Sequence, residues 1–177
     1  MIDKRQLTLL HNFDEAETCF ACGQDNPIGL HMTFYTDGQT VYSWPTLPHQ
    51  LCGWRSILHG GVISTMLDEV MSWTAHHLIR KLILTRSITV DFIHPLQVET
   101  KIRAEGWIHQ VNSKSLATLK ARLVNGAEKI CAKATGSFAL LTPKVARRLG
   151  VIDESLIQNV ERFMRAPKPA GWHLPED

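Results

Sequence analysis

The stretch that decides the fold is Leu58-His59-Gly60-Gly61-Val62-Ile63-Ser64-Thr65-Met66-Leu67-Asp68-Glu69, because it opens the longest helical pattern in the chain. At about 100° per residue, the apolar side chains between residues 62 and 78 fall on one half of a helical wheel. The polar row on the other half recurs every four residues: Ser64, Asp68, Ser72 and His76. The pattern predicts one helix of about five turns, from Gly60 to near Arg80, with its apolar half buried against a sheet.

Strand patterns lie on both sides of this helix. Residues 30–35 and 40–44 are rich in β-branched and aromatic side chains and flank Asp37-Gly38, a strong hairpin signal. Four further segments with short connectors predict a meander of antiparallel strands: 85–93, 100–110, 116–124 and 128–141. In the first of them, alternation puts Ile88, Val90 and Phe92 on one face, and Thr85, Ser87, Thr89 and Asp91 on the other. The predicted fold class is therefore α+β, with one long helix and an antiparallel sheet of about six strands.

The composition is that of one globular domain. The chain has 177 residues, a hydrophobic fraction of 44% and a formal net charge of +2. We predict an N-terminal arm over 1–18, the main domain over 19–142, and a C-terminal region over 143–177 in which a short helix over 153–164 precedes an extended tail. The near-neutral charge argues against a nucleic-acid partner. Without an apolar run of about 18 residues or an export signal, we expect a cytoplasmic protein with no membrane partner.

Cys19 and Cys22 form a C-x-x-C pair in a segment dense in turn residues. A zinc site needs two more ligands at suitable spacing, and only Cys52 and scattered histidines offer themselves along the sequence. A thioredoxin-like redox pair lacks the βαβ pattern that would surround it. We therefore predict small packing residues in a tight turn, with no metal and no cofactor.

The start of the predicted helix carries the residues with chemical potential. The pair Gly60-Gly61 leaves backbone N–H groups unshielded at a helix N-terminus, where unpaired donors and the helix dipole favour negative charge. Such a terminus stabilises an oxyanion. Asp68 follows two turns later on the less apolar side. The alternative interpretation is an ordinary helix start followed by a solvated aspartate.

Three pieces of the chain resemble the hotdog-fold acyl-CoA thioesterases of the 4-hydroxybenzoyl-CoA thioesterase superfamily, in particular the group related to the phenylacetate-pathway (PaaI-like) enzymes. The first is Cys19-Phe-Ala-Cys-Gly with Asn26-Pro-Ile-Gly29. The second is His59-Gly-Gly with a carboxylate, Asp68, nine residues after the histidine. The third is the strand Thr85-x-x-x-x-Val-x-Phe-x-x-Pro95. The resemblance spans residues 19–141.

The resemblance implies a hotdog fold, in which a curved antiparallel sheet wraps the long helix. It also implies a homodimer or homotetramer, with edge strands paired between subunits and active sites at the dimer interface. The implied activity is hydrolysis of an acyl-CoA thioester to the free acid and coenzyme A.

Roles for individual residues follow from the same resemblance. Asp68 matches the catalytic carboxylate, Gly60 the glycine whose N–H polarises the thioester carbonyl, and Thr85 a hydroxyl that helps to position the attacking water. We assign substrate binding to four further residues around the helix start: His59, Gly61, Gln50 and Trp54. His59 also has a structural role there.

The match departs from the pattern in one place. Relatives often carry Gln or Asn six or seven residues before the histidine, where this chain has Gly53 and Cys52. Gln50 is the candidate replacement.

Several alternatives stay open at this point. Asp68 acts either as general base or as nucleophile, and neither the acyl chain nor the choice between dimer and tetramer is fixed. A non-catalytic acyl-CoA-binding protein fits the departure at Cys52 and Gly53. A hotdog hydratase fits less well, because it needs a histidine five residues after Asp68, where this chain has Trp73.

Overall fold

The computed structural model describes residues 2–11, 18–150 and 152–165. Its strands are β1 (Thr8–Leu10), β2 (Phe34–Thr36), β3 (Thr40–Ser43), β4 (Cys52–Trp54), β5 (Ile57–Leu58), β6 (Leu82–Phe92), β7 (Ile102–Ser113), β8 (Leu116–Asn125) and β9 (Ile130–Leu141). Its α-helices are α1 (Gly60–Thr74), α2 (Pro143–Leu149) and α3 (Glu154–Arg165). A π-helical turn, Ala75–Ile79, continues α1, and short 3₁₀ turns cover Lys4–Gln6 and His49–Leu51.

The long helix forms where the sequence predicts it. It begins at Gly60 and, with the π turn, runs to Ile79, where Arg80 adopts a left-handed conformation and ends it. One side packs into the concave face of the sheet. The buried side chains of α1 are Ile63, Met66, Leu67, Val70, Met71, Trp73 and Thr74.

Two glycines mark the places where the sheet comes closest to the helix. A Cβ on Gly106 of β7 would lie 2.8 Å from the Val70 carbonyl oxygen, and one on Gly136 of β9 would lie 3.0 Å from Cε of Met71. At Gly106 only glycine permits this approach, because real Cβ atoms do not come so near to a backbone oxygen. The helix backbone is therefore seated directly on β7, whereas Gly136 leaves room for the Met71 side chain.

Seven strands of the described residues form one antiparallel sheet in the order β1-β2-β3-β7-β8-β9-β6, and β4 and β5 make a separate ribbon. The α+β class and the hotdog arrangement are confirmed. The predicted four-strand meander is wrong at its first step, since β6 pairs with β9 rather than with β7. The connector between β6 and β7 makes no tight turn, because it bonds to the loop before α1: the Leu58 N–H donates to the Leu96 carbonyl at 2.8 Å, and the Glu99 N–H to that of Leu47 at 2.9 Å.

The chain ends also differ from the sequence predictions. The predicted N-terminal arm over 1–18 contains a strand of the sheet, because β1 pairs with β2. The loop before α1 contains β4 and β5. Pro143, expected only to end the last strand, is the first residue of α2, with the Thr142 hydroxyl accepting from the Val145 N–H. The second C-terminal helix lies where the sequence predicts it, beginning at Glu154 directly after Asp153, and the predicted tail lies outside the described residues.

A second, smaller apolar cluster joins the C-terminal helices to the sheet. It consists of the buried side chains of Leu82, Leu141, Ala146, Ile157 and Val160.

Within the described part of the chain, no helix has the length and apolar character needed to cross a membrane.

Candidate active site

The turn into α1 is built around His59. Its ring Nδ1 accepts a hydrogen bond from the Gly61 N–H at 2.9 Å, so the imidazole caps the helix. A Cβ on Gly61 would lie 3.0 Å from that Nδ1, and one on Gly53 would lie 3.1 Å from the ring Cδ2. A larger residue at either glycine would therefore require the ring to shift.

The Gly60 N–H stands at the open end of this turn. The first helical carbonyl, that of His59, accepts from Val62 and Ile63. No acceptor for the Gly60 N–H is found among the described residues. Across from Gly60 lies the Phe92 ring, with Cε1 3.5 Å from the place of an added Cβ. A polarised donor therefore lies beside a partly exposed aromatic surface at the positive end of the helix dipole.

Asp68 lies half-buried on α1, and Thr85 on β6 holds it. The Thr85 hydroxyl donates to Oδ1 of Asp68 at 3.0 Å. Burial raises the pKa of Asp68, and the hydrogen bond from Thr85 acts in the opposite direction. A carboxylate with a fixed orientation and incomplete solvation is suited to accept a proton or attack a carbonyl.

A β-bulge in β6 brings Thr85 to this carboxylate. Thr85 is opposite Phe138 and Ser87 is opposite Ser137, so Arg86 is an extra residue without a direct partner. Residues opposite each other share a face of the sheet. Since Phe138 is buried under the helix, Thr85 lies on the helix side, on the same face as Ile88 and Val90. The predicted alternation, which put Thr85 on the same face as Ser87, is wrong because it assumed a strand without a bulge.

The other two predicted substrate-binding residues lie in the loop before α1. Gln50 is exposed in a 3₁₀ turn, and the Trp54 side chain on β4 is 77% exposed. Within the described residues neither has a hydrogen bond or ring contact to Asp68 or Thr85. The structure thus brings together Asp68 with Thr85, and His59 with Gly60 and Gly61. Among the described residues, Gln50 and Trp54 form no side-chain hydrogen bond to either group.

Glu69 has surroundings that sequence reasoning missed. Its carboxylate points away from Asp68, as the 100° step of a helix requires, and accepts a hydrogen bond from Nε1 of Trp73 at 3.1 Å. The Sγ of Cys19 lies 3.9 Å from the same oxygen, and Cys22 belongs to the same cluster. Burial raises the pKa of Glu69 to about 7. Helical direction was readable from the sequence, but the segment that covers that side of the helix was not.

The far end of the helix contains a pair of histidines with little solvent. Burial lowers the pKa of both His76 and His77 to about 4. They line a cavity of about 220 Å³ together with Thr8, Leu9, Leu10, His11, Trp73 and Phe163. Nε2 of His77 has no hydrogen-bond partner among the described residues.

Comparison with known proteins shows what this chain is similar to. Residues 56–132 match the model of the thioesterase superfamily. An uncharacterized protein of Schizosaccharomyces pombe is 31% identical over 105 residues, which are 57% of this chain and 59% of that protein. The chain therefore spans well under two thirds of the length of this curated relative.

Solved structures of hotdog proteins share the architecture at low identity. Zebrafish thioesterase superfamily member 2 gives a TM-score of 0.61 at 14% identity, over 75% of this chain and 100% of that one. A Haemophilus influenzae thioesterase gives 0.61 at 14%, over 77% and 94%. The PaaI protein from the phenylacetic acid degradation operon of E. coli gives 0.56 at 16%, over 63% and 80%. The chain thus resembles the thioesterase superfamily over residues 56–132 and has the hotdog fold.

Proposed function

We propose that the protein hydrolyses an acyl-CoA thioester, with Asp68 as general base or nucleophile and the Gly60 N–H as donor to the oxyanion. The observation that carries the proposal is the half-buried Asp68 carboxylate, oriented by Thr85 on a helix whose first N–H, that of Gly60, has no acceptor among the described residues. A thioester is already an activated acyl group, so its hydrolysis needs only two catalytic groups. A carboxylate activates water or attacks the carbonyl, and an N–H donor stabilises the charge that develops on the carbonyl oxygen.

The spacing of the two groups requires a second subunit. Gly60 and Asp68 are eight residues apart on one helix, which corresponds to about 12 Å along its axis. Groups that act on one carbonyl must lie within about 3 Å of the reacting atoms. The proposed site therefore combines Asp68 of one protomer with Gly60 of the partner subunit, in a homodimer.

Strand β6 offers the surface for that dimer. It is an edge strand of 11 residues. Exposed apolar side chains lie on and near it, with Phe92 57% exposed and Ile93 43% exposed. Long apolar edges are normally paired or covered. Pairing two copies of β6 would make one continuous sheet and bring the two helices together.

Assembly is tested by light scattering on the purified protein. We expect a dimer or a tetramer at micromolar concentration. A stable monomer of 20.0 kDa under those conditions would contradict the shared site.

The catalytic assignment is tested with a panel of acyl-CoA substrates and detection of the released thiol. Asp68→Asn keeps the shape of the side chain and removes its basicity. Because general acid–base catalysis contributes about 10²- to 10⁴-fold, kcat should fall at least about a hundredfold, while the melting temperature stays close to that of the parent.

Ser72→Ala is the matched control. Ser72 lies one turn beyond Asp68 in the same polar row, so its loss should leave kcat within about twofold, since nothing in the proposed chemistry uses it. Near-parental turnover of Asp68→Asn on every substrate would refute the assignment. Binding of acyl-CoA without hydrolysis by the parent would favour the non-catalytic alternative instead.

A further inference from the structure

The C-x-x-C segment forms a tight turn that brings its two sulfurs together. The Gly23 N–H donates to the Cys19 carbonyl at 2.9 Å and closes the turn. The sulfur atoms of Cys19 and Cys22 lie within 4.8 Å of each other. The chain after the turn is fixed as well, because the Leu30 N–H donates to the Phe20 carbonyl at 2.9 Å.

Helix α1 brings a third ligand group to this turn. The ligand atoms of Cys19, Cys22 and Glu69 all lie within 4.8 Å of one another. With Zn–S bonds of about 2.3 Å and Zn–O bonds of about 2.1 Å, ligand atoms around a tetrahedral zinc ion lie about 3.6–3.8 Å apart. The separation of 3.9 Å between Cys19 Sγ and Glu69 Oε1 is already close to that value.

The carboxylate is also held from behind. Nε1 of Trp73 donates to Oε1 of Glu69 at 3.1 Å. The Trp73 ring is itself stacked on Phe34, with ring centroids 4.7 Å apart. Outer contacts that fix a ligand's orientation are characteristic of metal centres, since they reduce the cost of ordering the site.

The charge balance of the cluster favours a cation. Three acidic groups lie together at half-buried or buried positions. Among the described residues, no lysine or arginine forms an ion pair with Glu69. Buried anions require a compensating charge or must remain protonated. A divalent ion supplies that charge and replaces the protons.

We propose that Cys19, Cys22 and Glu69 bind a thiophilic divalent transition metal, Zn²⁺ by the character of the ligands, with solvent as the fourth ligand. The proposed metal site differs from the packing role that we expect for the two cysteines from the sequence. Along the sequence, only Cys52 and histidines were candidates for the further ligands, and Glu69 was not. The metal joins the segment that begins at Cys19 to the helix residue next to Asp68. It is independent of the proposed hydrolysis, because Asp68 and Thr85 are not ligands.

The test uses the full chain, reduced and depleted of metal, and titrates it with Co²⁺ as a spectroscopic probe and then with competing Zn²⁺. We expect one Co²⁺ per chain with the intense d–d absorption of tetrahedral thiolate coordination, its displacement by Zn²⁺, and a higher melting temperature with the metal. Cys22→Ser and Glu69→Gln should each weaken binding by at least about a hundredfold, because removing even an outer contact costs 10- to 100-fold.

Two comparisons make the test decisive. Glu69→Gln keeps an acceptor for Trp73, so the fold should persist, and circular dichroism checks it. Cys52→Ala removes a thiol outside the cluster and should bind Co²⁺ like the parent. Absence of thiolate–Co²⁺ absorption in the reduced parent would overturn the proposal, as would parental affinity in Glu69→Gln or an equal loss in Cys52→Ala. None of these readouts depends on hydrolysis.

Discussion

The two sides of helix α1 differ in how closely their side chains are packed. On the sheet side, apolar side chains are buried, and Gly106 lets β7 approach the helix backbone at Val70 within contact distance. On the opposite side, Asp68 is half-buried against a threonine of an edge strand, and the Gly60 N–H has no acceptor among the described residues. The first side is closely packed and apolar, whereas the second contains incompletely solvated polar groups.

This difference separates the part of the molecule that sets the fold from the part available for chemistry. Dense packing fixes the position of the helix to within a fraction of an ångström. That rigidity lets polar groups on the far side keep a defined geometry without being buried themselves. Substitutions on the two sides should therefore fail in different ways, the first in stability and the second in activity.

The largest effect is expected on the packed side. Gly106→Ala would place a Cβ 2.6 Å from Oγ1 of Thr74 and 2.8 Å from the Val70 carbonyl oxygen. Since a helix backbone cannot yield locally, the cost should reach about 3 kcal/mol, which corresponds to a melting temperature lower by about 6–12 °C. Thermal unfolding followed by circular dichroism measures it.

Gly126→Ala is the control for that substitution. An added Cβ there meets nothing nearer than 3.5 Å, an ordinary contact with Lys101. Its melting temperature should stay within about 2 °C of the parent. Equal losses at positions 106 and 126 would mean that close approach to the helix is not what requires glycine.

A smaller effect is expected on the open side, at Thr85. Thr85→Val removes the hydroxyl that orients Asp68, and a hydrogen bond to a charged group is worth about 1.5–3 kcal/mol. Under the proposed function, kcat should fall about tenfold or more, with little change in KM or in unfolding. Thr85→Ser keeps the hydroxyl and should recover most of the rate. Similar kinetics for both variants would show that the hydroxyl does not act through Asp68.

The smallest effect concerns the far end of the helix and acid stability. Burial lowers the pKa of His77 from its ordinary 6.5 to about 4. Between these values the unfolded chain takes up the proton first, so stability is present above pH 6.5 and is lost as the pH falls toward 4. Each such histidine contributes a slope of up to about 1.4 kcal/mol per pH unit.

His77→Leu should therefore reduce the slope of unfolding free energy between pH 6.5 and 4, measured by urea denaturation. His76, shifted in the same direction, leaves a residual slope. His109→Gln is the control, because His109 lies at an exposed position on β7. It measures the change in slope that results from removing a histidine that is not buried. An unchanged slope in His77→Leu would contradict the role of burial.

Periodic features of the fold were predictable, and contacts between distant segments were not. The helix from Gly60 and the hairpin around Asp37-Gly38 each leave a local period or turn signal. The position of β6 beside β9 depends instead on hydrogen bonds from the β6–β7 connector to residues near 47 and 58. No local pattern encodes such bonds.

The candidate site shows the same division. The partnership of Asp68 with Thr85 came from family resemblance, since alternation alone put Thr85 on the wrong face. The meeting of Glu69 with Cys19 joins residues 50 positions apart, and their spacing matches no familiar ligand motif. Burial of the side of α1 that carries Glu69 could have been suspected from Trp73, one turn later, but its partner could not.

The extra residue in β6 has a consequence for how the gene can change. The bulge holds one residue between two segments whose registers with β9 are already regular. Loss of the single codon for Arg86 would remove the bulge and still leave Thr85 opposite Phe138 and Ser87 opposite Ser137, so Thr85 would keep facing the helix. A one-residue deletion between Thr89 and Phe92 has no extra residue to absorb it, and it would turn one part of the strand over to the other face. In alignments of related chains, a gap at Arg86 is therefore compatible with the same active-site arrangement, whereas a gap further along β6 is not.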